Sequence, residues 1–245
     1  MSRVLNLLLT HQAPAAVGRM LEWWRACCPP SNVLVAFNGT EEAFARIPHP
    51  HKVRVVDPRL VTVQHSRERQ SYTTIFQEAA RWMKGRDYTH VHFCEYDQVP
   101  LVPDLNARQV ARLEEEHADV LAFQLARVDG TNQPHYLYHQ ALPDFAEHWA
   151  SLSVRRDKAA VLSFFGTGGF WTRAAFDAVA ALAEPFPIYL ELYLPTAAHH
   201  LGYRVRDWRE QNRYISNLGN FVYAIDQARR DGAWTIHPAK TLWNA

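Results

Sequence analysis

Cysteine is scarce in this sequence, and no two cysteines have the C-x-x-C spacing. The 245 residues include only Cys27, Cys28 and Cys94. An odd number of cysteines without that spacing argues against a disulfide framework and against a structural zinc site. Unpaired thiols suit a reducing compartment, so we expect a cytoplasmic protein, either free in solution or peripheral to a membrane.

Long apolar runs are also missing. The largely apolar run Val4–Leu9 is far shorter than the ~20 residues that a membrane-spanning helix needs. No small-residue cleavage site follows it, so we interpret the run as a strand and not as a signal peptide. No other part of the sequence resembles an anchor, and we expect no integral membrane segment.

An excess of charge of one sign is the third absence. Lysine and arginine together number 26, and aspartate and glutamate together number 25. A chain so close to neutrality has no strong overall field that would draw it to nucleic acid or to an anionic bilayer. We therefore expect no nucleic-acid partner, and any anion site must be local.

The composition is that of a folded globular protein. Hydrophobic residues make up 48% of the chain and charged residues 21%. No internal repeat and no low-complexity linker divides the sequence. The length suits one large domain over residues 1–245.

Short apolar runs alternate with amphipathic stretches in the first half of the chain. Helices are predicted after Pro14 and over about 68–84. This alternation predicts an α/β fold with a mixed, mainly parallel central sheet flanked by helices, in which ligands bind at the carboxyl ends of the strands. The predicted strands are Val4–Leu9, Val33–Phe37, Val53–Val56, His90–Cys94 and Asp119–Leu125.

The second half is less regular. Residues 126–160 are predicted as loops and short helices, and Leu162–Phe165 as a short strand that leads into a glycine-bearing segment. Helices are then predicted over about 173–182 and 188–201, followed by a strand over 203–207.

Two acidic residues come directly after the strand His90–Cys94. They are Glu95 and Asp97, with Tyr96 between them. Carboxylates one residue apart at a strand end can point together at a divalent cation, and oxygen ligands suit Mg²⁺ or Mn²⁺. A solvated acidic loop is the alternative, but the position directly after a buried strand favours a functional role.

This arrangement resembles the glycosyltransferase A fold, whose members carry a D-x-D or E-x-D motif after a central strand. The resemblance implies a Rossmann-like domain with a nucleotide-binding part over about 1–125 and an acceptor-binding part over about 126–245. It implies that Asp97 binds Mn²⁺ or Mg²⁺ directly, while Glu95 reaches the metal through water or contacts the donor's ribose. The implied enzyme moves a sugar from a nucleotide-sugar donor, most commonly a UDP-sugar, to a carbohydrate or glycoconjugate acceptor.

The end of the sequence carries a second point of resemblance. His237 looks like the late histidine that many metal-dependent members use as a further ligand, and Lys240 would neutralise the donor diphosphate. An exposed tail with an incidental histidine is the alternative. The proline after His237 and the flanking Trp234 and Trp243 favour a packed segment.

Two further assignments rest on the resemblance. The segment Phe165–Phe170 is similar to one that borders donor and acceptor, so Gly168 and Gly169 are candidate substrate contacts through their backbone N–H groups. A plain turn is the alternative. Glu191 lies on a predicted helix where inverting members place the catalytic base. Members often have two adjacent acids, whereas Leu192 follows here, and a solvated helix face is the alternative.

Polar residues at the ends of the first two strands and before the long helix are candidate nucleotide contacts. In the resembling fold these two strand ends flank the base. The alternative is that they are ordinary turn and surface residues, since these residue types are common there. The candidates are Thr10, His11, Gln12, Asn38, Arg67 and Arg69.

His90 and His92 have the H-x-H spacing of metallohydrolases, which places both rings on one face of a strand. Those enzymes need several more histidines or acids at later strand ends. We therefore interpret both histidines as structural.

Two other functions stay open. A sugar-phosphate nucleotidyltransferase shares the sheet and the metal, but it usually opens with a glycine-rich loop that Thr10–Pro14 lacks. A non-catalytic carbohydrate- or partner-binding protein on the same fold is the second. Trp149, Trp171 and Trp208 could stack on sugar faces, although a place in the core is the commoner role of tryptophan.

Overall fold

The structure, a computed structural model, describes residues 3–57, 60, 73–182, 189–216 and 224–243. The strands in this part of the chain are β1 Val4–Thr10, β2 Val33–Phe37, β3 Lys52–Arg54, β4 His90–Glu95, β5 Val99–Pro100, β6 Val120–Arg127, β7 Leu162–Thr172, β8 Val205–Asp207 and β9 Thr235–Ile236. The α-helices are α1 Pro14–Trp24, α2 Glu41–Arg46, α3 Thr73–Met83, α4 Leu105–Glu115, α5 Pro134–His139, α6 Phe145–Leu152, α7 Arg173–Ala180, α8 Leu190–His200 and α9 Ile225–Arg230.

Most of the strands form one seven-stranded sheet in the order β3-β2-β1-β4-β7-β6-β8. β1 is parallel to β2 and β4, β2 is parallel to β3, and β6 is parallel to β8. β7 is antiparallel to both of its neighbours, β4 and β6. The predicted fold class, a mixed and mainly parallel sheet flanked by helices, is confirmed.

The sheet is covered on both faces. Every residue of β1 is buried. Leu7 packs in one apolar cluster with Phe76 of α3, whereas Leu8 packs in another with Met20 of α1. Successive side chains of a strand point to opposite faces, so a fully buried strand needs helices on both sides, as its continuous apolar sequence predicts.

The prediction for the glycine segment was wrong in its secondary structure. The chain does not turn after Phe165 but continues as one long strand, β7, through Gly168 and Gly169. A Cβ atom on Gly168 would lie 2.6 Å from the backbone oxygen of Phe93 in β4, and one on Gly169 would lie 3.3 Å from that of Leu121 in β6. The missing side chains therefore let β7 pack closely between two neighbouring strands.

We expect Gly168→Ala to destabilise the fold by roughly 1–3 kcal/mol, because the added methyl group overlaps the backbone of Phe93. Gly18→Ala in α1 is the matched control. There the new Cβ would lie 3.6 Å from Pro48, an ordinary contact, and replacing a helical glycine stabilises by up to about 1 kcal/mol. Urea denaturation of both variants measures the difference, and an unchanged stability for Gly168→Ala would contradict this role.

Three tryptophans that could have stacked on a sugar belong to the core instead. Trp149, Trp171 and Trp208 are each at most 1% exposed.

Within the described residues, no helix has the length and apolar character needed to cross a bilayer.

Candidate active site

Three potential metal ligands meet at the carboxyl end of β4. Glu95, Asp97 and His237 each offer a ligand atom, and these atoms lie within 4.8 Å of one another. The imidazole Nε2 of His237 is 3.3 Å from Asp97 Oδ1, and Lys240 Nζ is 3.8 Å from Asp97 Oδ2. The structure thus brings the acidic triplet, Glu95–Asp97, together with His237.

A two-stranded ribbon of β5 and β9 brings His237 to the triplet. β5 begins just after Asp97, and β9 ends directly before His237. Antiparallel pairing of Val99 with Ile236 sets the register. The amide of Ala239 then donates a hydrogen bond to the carbonyl oxygen of Asp97 at 2.7 Å. Backbone pairing therefore holds the two side chains together.

The segment after His237 is packed and not an exposed tail. Trp243 is 3% exposed, and its Nε1 donates to the carbonyl oxygen of Tyr96 at 2.8 Å. Its ring meets Trp23 of α1 edge to face, and Arg19 of α1 donates to its carbonyl oxygen. These contacts fix Lys240 beside the triplet.

The protonation of His237 fits a cation site. Nδ1 lies 2.8 Å from the carbonyl oxygen of Ser216, which only accepts, so Nδ1 carries a hydrogen. Nε2 then faces Asp97 either as a lone pair or as the second N–H of an imidazolium. Burial lowers the pKa of His237, but Asp97, Glu95 and the Ser216 carbonyl outweigh burial and raise it. A divalent cation between Nε2 and Oδ1 would replace that proton.

The carboxylate of Asp97 also fits a cation. Asp97 is 2% exposed, and Oδ1 receives no well-aligned hydrogen bond from the described residues. A buried carboxylate oxygen costs free energy unless it is paired or binds a metal. Two carboxylates and one imidazole form a ligand set that Mn²⁺ accepts, and the carboxylates suit Mg²⁺.

The cluster lines a cavity of about 640 Å³ at this edge of the sheet. Such a volume is typical of small-molecule sites. Other elements of the fold contribute Gln124 from β6, His135 from α5, Gly166 from β7 and Glu191 from α8. The cavity therefore combines a metal-binding cluster with polar groups from later elements of the chain.

Glu191 lines this cavity with its side chain 18% exposed, and it does not lie on a solvated helix face. Its Oε1 accepts a hydrogen bond from the amide of Gly166 at 3.0 Å. Burial raises the pKa of Glu191 to about 7, the Gly166 amide opposes that rise, and the charge of Glu95 adds to it. A carboxyl group with a pKa near neutrality can accept and return a proton at physiological pH.

The candidate nucleotide contacts at the ends of β1 and β2 are not lining residues of the cavity, but His11 contacts Tyr96, which is one. Thr10 is buried, and its Oγ1 accepts a hydrogen bond from the amide of Gln12 at 3.1 Å. The exposed ring of His11 meets the ring of Tyr96 edge to face, with centroids 5.0 Å apart. The backbone N–H of Asn38 donates a hydrogen bond to the carbonyl oxygen of Thr10 at 3.0 Å. Adjacent strand ends thus bring these residues together.

Other predicted contacts fare differently. Gly166 lines the cavity, but Gly168 and Gly169 are not among its lining residues, because they lie between β4 and β6. Arg67 and Arg69 lie outside the described residues. The two glycines therefore lie within the sheet and not at the cavity wall, and their predicted contact with substrate stays a prediction.

The two histidines of β4 have no metal-ligand cluster around them in the described part of the chain. Burial lowers the pKa of His92 to about 3, and its Nδ1 is 3.1 Å from Asn6 Oδ1. His90 stacks on Phe170, with ring centroids 5.4 Å apart. Both contacts support the interpretation of these residues as structural.

Sequence reasoning missed several residues of the cavity, among them Gln124, His135 and Tyr189. Gln124 has a left-handed backbone, with φ of 52°, at an irregularity in β6, and its Nε2 donates to Ile215. His135 and Tyr189 stack on one another, with ring centroids 3.9 Å apart. His135 follows Pro134, which starts α5, and a proline at a helix start was the one signal in that segment.

The amino-acid sequence matches no protein-family model and no curated protein. Solved structures resemble the fold at low identity. The mannosyltransferase PcManGT from Pyrobaculum calidifontis, in complex with GDP-Man and Mn²⁺, is 15% identical with a TM-score of 0.47, over 84% of this chain and 54% of that chain.

Two further structures resemble the fold. A cytidylyltransferase from Leptospira borgpetersenii is 10% identical with a TM-score of 0.47, over 85% of this chain and 76% of that chain. TarS from S. aureus is 13% identical with a TM-score of 0.42, over 84% of this chain and 58% of that chain. The chain spans little more than half the length of the mannosyltransferase and TarS chains.

Proposed function

We propose that this protein is a metal-dependent glycosyltransferase that moves a sugar from a nucleotide-diphosphate sugar, most simply a UDP-sugar, to a hydroxyl of a carbohydrate or glycoconjugate. One observation carries the proposal. The Asp97–His237 pair and the Glu191 carboxyl line the same cavity. A cation site and a proton acceptor in one cavity are the two groups that sugar transfer to a hydroxyl needs.

The donor diphosphate would bind at the cluster. Asp97 and His237 would hold Mn²⁺ or Mg²⁺ directly, and Glu95 would reach it through water or contact the ribose. The cation supplies positive charge that stabilises the departing diphosphate. Lys240, whose Nζ lies 3.8 Å from Asp97 Oδ2, adds a second positive charge on the same side.

Glu191 would act on the acceptor. Its Oε1 is held by the Gly166 amide, and its carboxylate takes the proton of the acceptor hydroxyl as that oxygen bonds to the anomeric carbon. The bond from the anomeric carbon to the diphosphate breaks as the sugar gains oxocarbenium character. A base on the face opposite the leaving group inverts the anomeric centre, so we propose an inverting enzyme.

We expect Lys240→Ala to lower kcat about 10-fold, because a half-exposed charge near the leaving group is screened by water. Metal affinity should change little, since Lys240 is not a ligand. Lys84→Ala, an exposed lysine just after α3, is the matched control. Steady-state transfer kinetics measure both variants, and equal rates would exclude a role for Lys240 in catalysis.

A panel of nucleotide sugars with Mn²⁺, Mg²⁺ or chelator tests the function. We expect one donor to raise the melting temperature only with metal, and mass spectrometry to find its sugar on a saccharide acceptor. Metal-dependent binding of a sugar without turnover would support a non-catalytic binder instead. Release of pyrophosphate from a nucleoside triphosphate and a sugar phosphate would support a nucleotidyltransferase.

A further inference from the structure

The two oxygens of the Glu191 carboxyl have different surroundings. Oε1 accepts the backbone hydrogen bond from Gly166 of β7 at 3.0 Å. Oε2 lies 3.7 Å from Nε2 of His135, which comes from the first turn of α5. The side chains of His135 and Glu191 are 15% and 18% exposed. A strand and a separate helix therefore approach the carboxyl from different parts of the chain.

The His135 ring is itself held in place. It stacks on Tyr189 with ring centroids 3.9 Å apart and planes within 14°. Tyr189 directly precedes α8, the helix that carries Glu191. The stack limits rotation of the imidazole, whose Nε2 lies 3.7 Å from Oε2. A distance of 3.7 Å is long for a hydrogen bond, and contacts of this kind commonly tighten when substrate binds.

We propose that His135 is a positioning residue that orients the Glu191 carboxylate by donating a hydrogen bond from Nε2 to Oε2. The inference rests on the proposed function, in which Glu191 is the base, and adds a second residue to that half of the site. With both oxygens held, the carboxylate keeps one direction for accepting a proton. Hydrogen-bond partners that orient metal ligands are worth about 10–100-fold in affinity or activity, and we expect an effect of the same order here.

Other groups in the described part of the chain also act on the carboxyl. Glu95, at the end of β4, disfavours the charged form of Glu191, whereas the Gly166 amide of β7 favours it. Tyr189 contributes its ring to the stack, and burial raises the pKa of its hydroxyl beyond the ordinary range. Among these groups, His135 is the side chain that stands at Oε2 with a ring nitrogen.

Two substitutions separate the effect of the His135 N–H group from the effect of its ring. His135→Phe keeps a flat ring on Tyr189 and removes the N–H, whereas His135→Gln removes the ring and keeps an N–H donor at a similar reach. We expect His135→Phe to lower kcat about 10–100-fold with an unchanged KM for the donor, and His135→Gln to recover most of that loss. His199→Ala, on the same helix as Glu191 and outside the cavity lining, should behave as wild type.

A second readout does not depend on sugar transfer. Carboxyl ¹³C NMR titration of Glu191 in each variant should show its pKa raised by about one unit in His135→Phe and restored in His135→Gln, because a lost donor disfavours the carboxylate. The inference would be overturned if His135→Phe behaved as wild type while His135→Gln lost kcat fully and showed a shifted titration. If no donor is turned over at all, the proposed function fails, while the titration still decides whether His135 holds Glu191.

Discussion

Asp97→Asn should abolish the stabilisation of the protein by Mn²⁺ together with nucleotide sugar, and lower transfer by about 10³-fold or more. The substitution keeps the shape of the side chain but removes the negative charge that faces His237 at 3.3 Å. A metal's stabilisation of a departing diphosphate is worth several kcal/mol, which sets that magnitude. Thermal shift with and without Mn²⁺, followed by transfer kinetics, measures both effects.

The control for this variant is Asp87→Asn. Asp87 is 79% exposed and pairs with Arg3, away from the cavity. It should keep both the metal response and the rate. Unfolding of Asp97→Asn without metal shows whether the fold survives the change. Full Mn²⁺-dependent activity in a folded Asp97→Asn protein would exclude Asp97 as a ligand.

Glu191→Gln should lower kcat by about 10²–10⁴-fold while leaving metal and donor binding intact, because the amide cannot accept a proton from the acceptor. Gln can still accept the Gly166 hydrogen bond, so the geometry is kept. The wild-type rate should rise as pH increases through about 7, where the carboxyl loses its proton, and this limb should vanish in the variant. Glu147→Gln, at an exposed position of α6, is the control.

The same variant should change stability in a pH-dependent way. The pKa of Glu191 is raised from 4.5 to about 7 by burial, so its contribution to stability is fully present below pH 4.5 and is lost as pH rises through about 7. Gln has no charge to bury. Glu191→Gln should therefore be more stable than wild type at pH 8, by at most about 3 kcal/mol, and similar to it at pH 4. If the variant and wild type were equally stable at pH 4 and at pH 8, the charged form of Glu191 would not be buried.

The strands and the acidic triplet could be predicted because their signals are local. Apolar runs such as Val33–Phe37 are long enough to identify a buried strand, and the structure has the same bounds. Glu95 and Asp97 follow such a run directly, so their place at a strand end follows from the sequence. The helix predicted over 188–201 is seen as α8, Leu190–His200, with Tyr189 directly before it and Ile188 outside the described residues.

Other parts depend on contacts between distant segments. β5 and β9 have two residues each, too few for any periodic signal, and yet their pairing brings His237 to Asp97. The length of β7 was missed because Gly168 and Gly169 look like a turn, whereas they let this strand pass close to the backbones of Phe93 and Leu121. The burial of Glu191 depends on packing that no local pattern encodes.

The central claim is that one cation is held by Asp97 and His237 together, and a crystal structure with Mn²⁺ and a nucleotide sugar tests it most directly. We predict an anomalous Mn²⁺ peak between Asp97 Oδ1 and His237 Nε2, with the donor diphosphate bound to it and Glu191 on the acceptor side of the sugar. A Mn²⁺ peak elsewhere, or a donor bound away from both residues, would contradict the account.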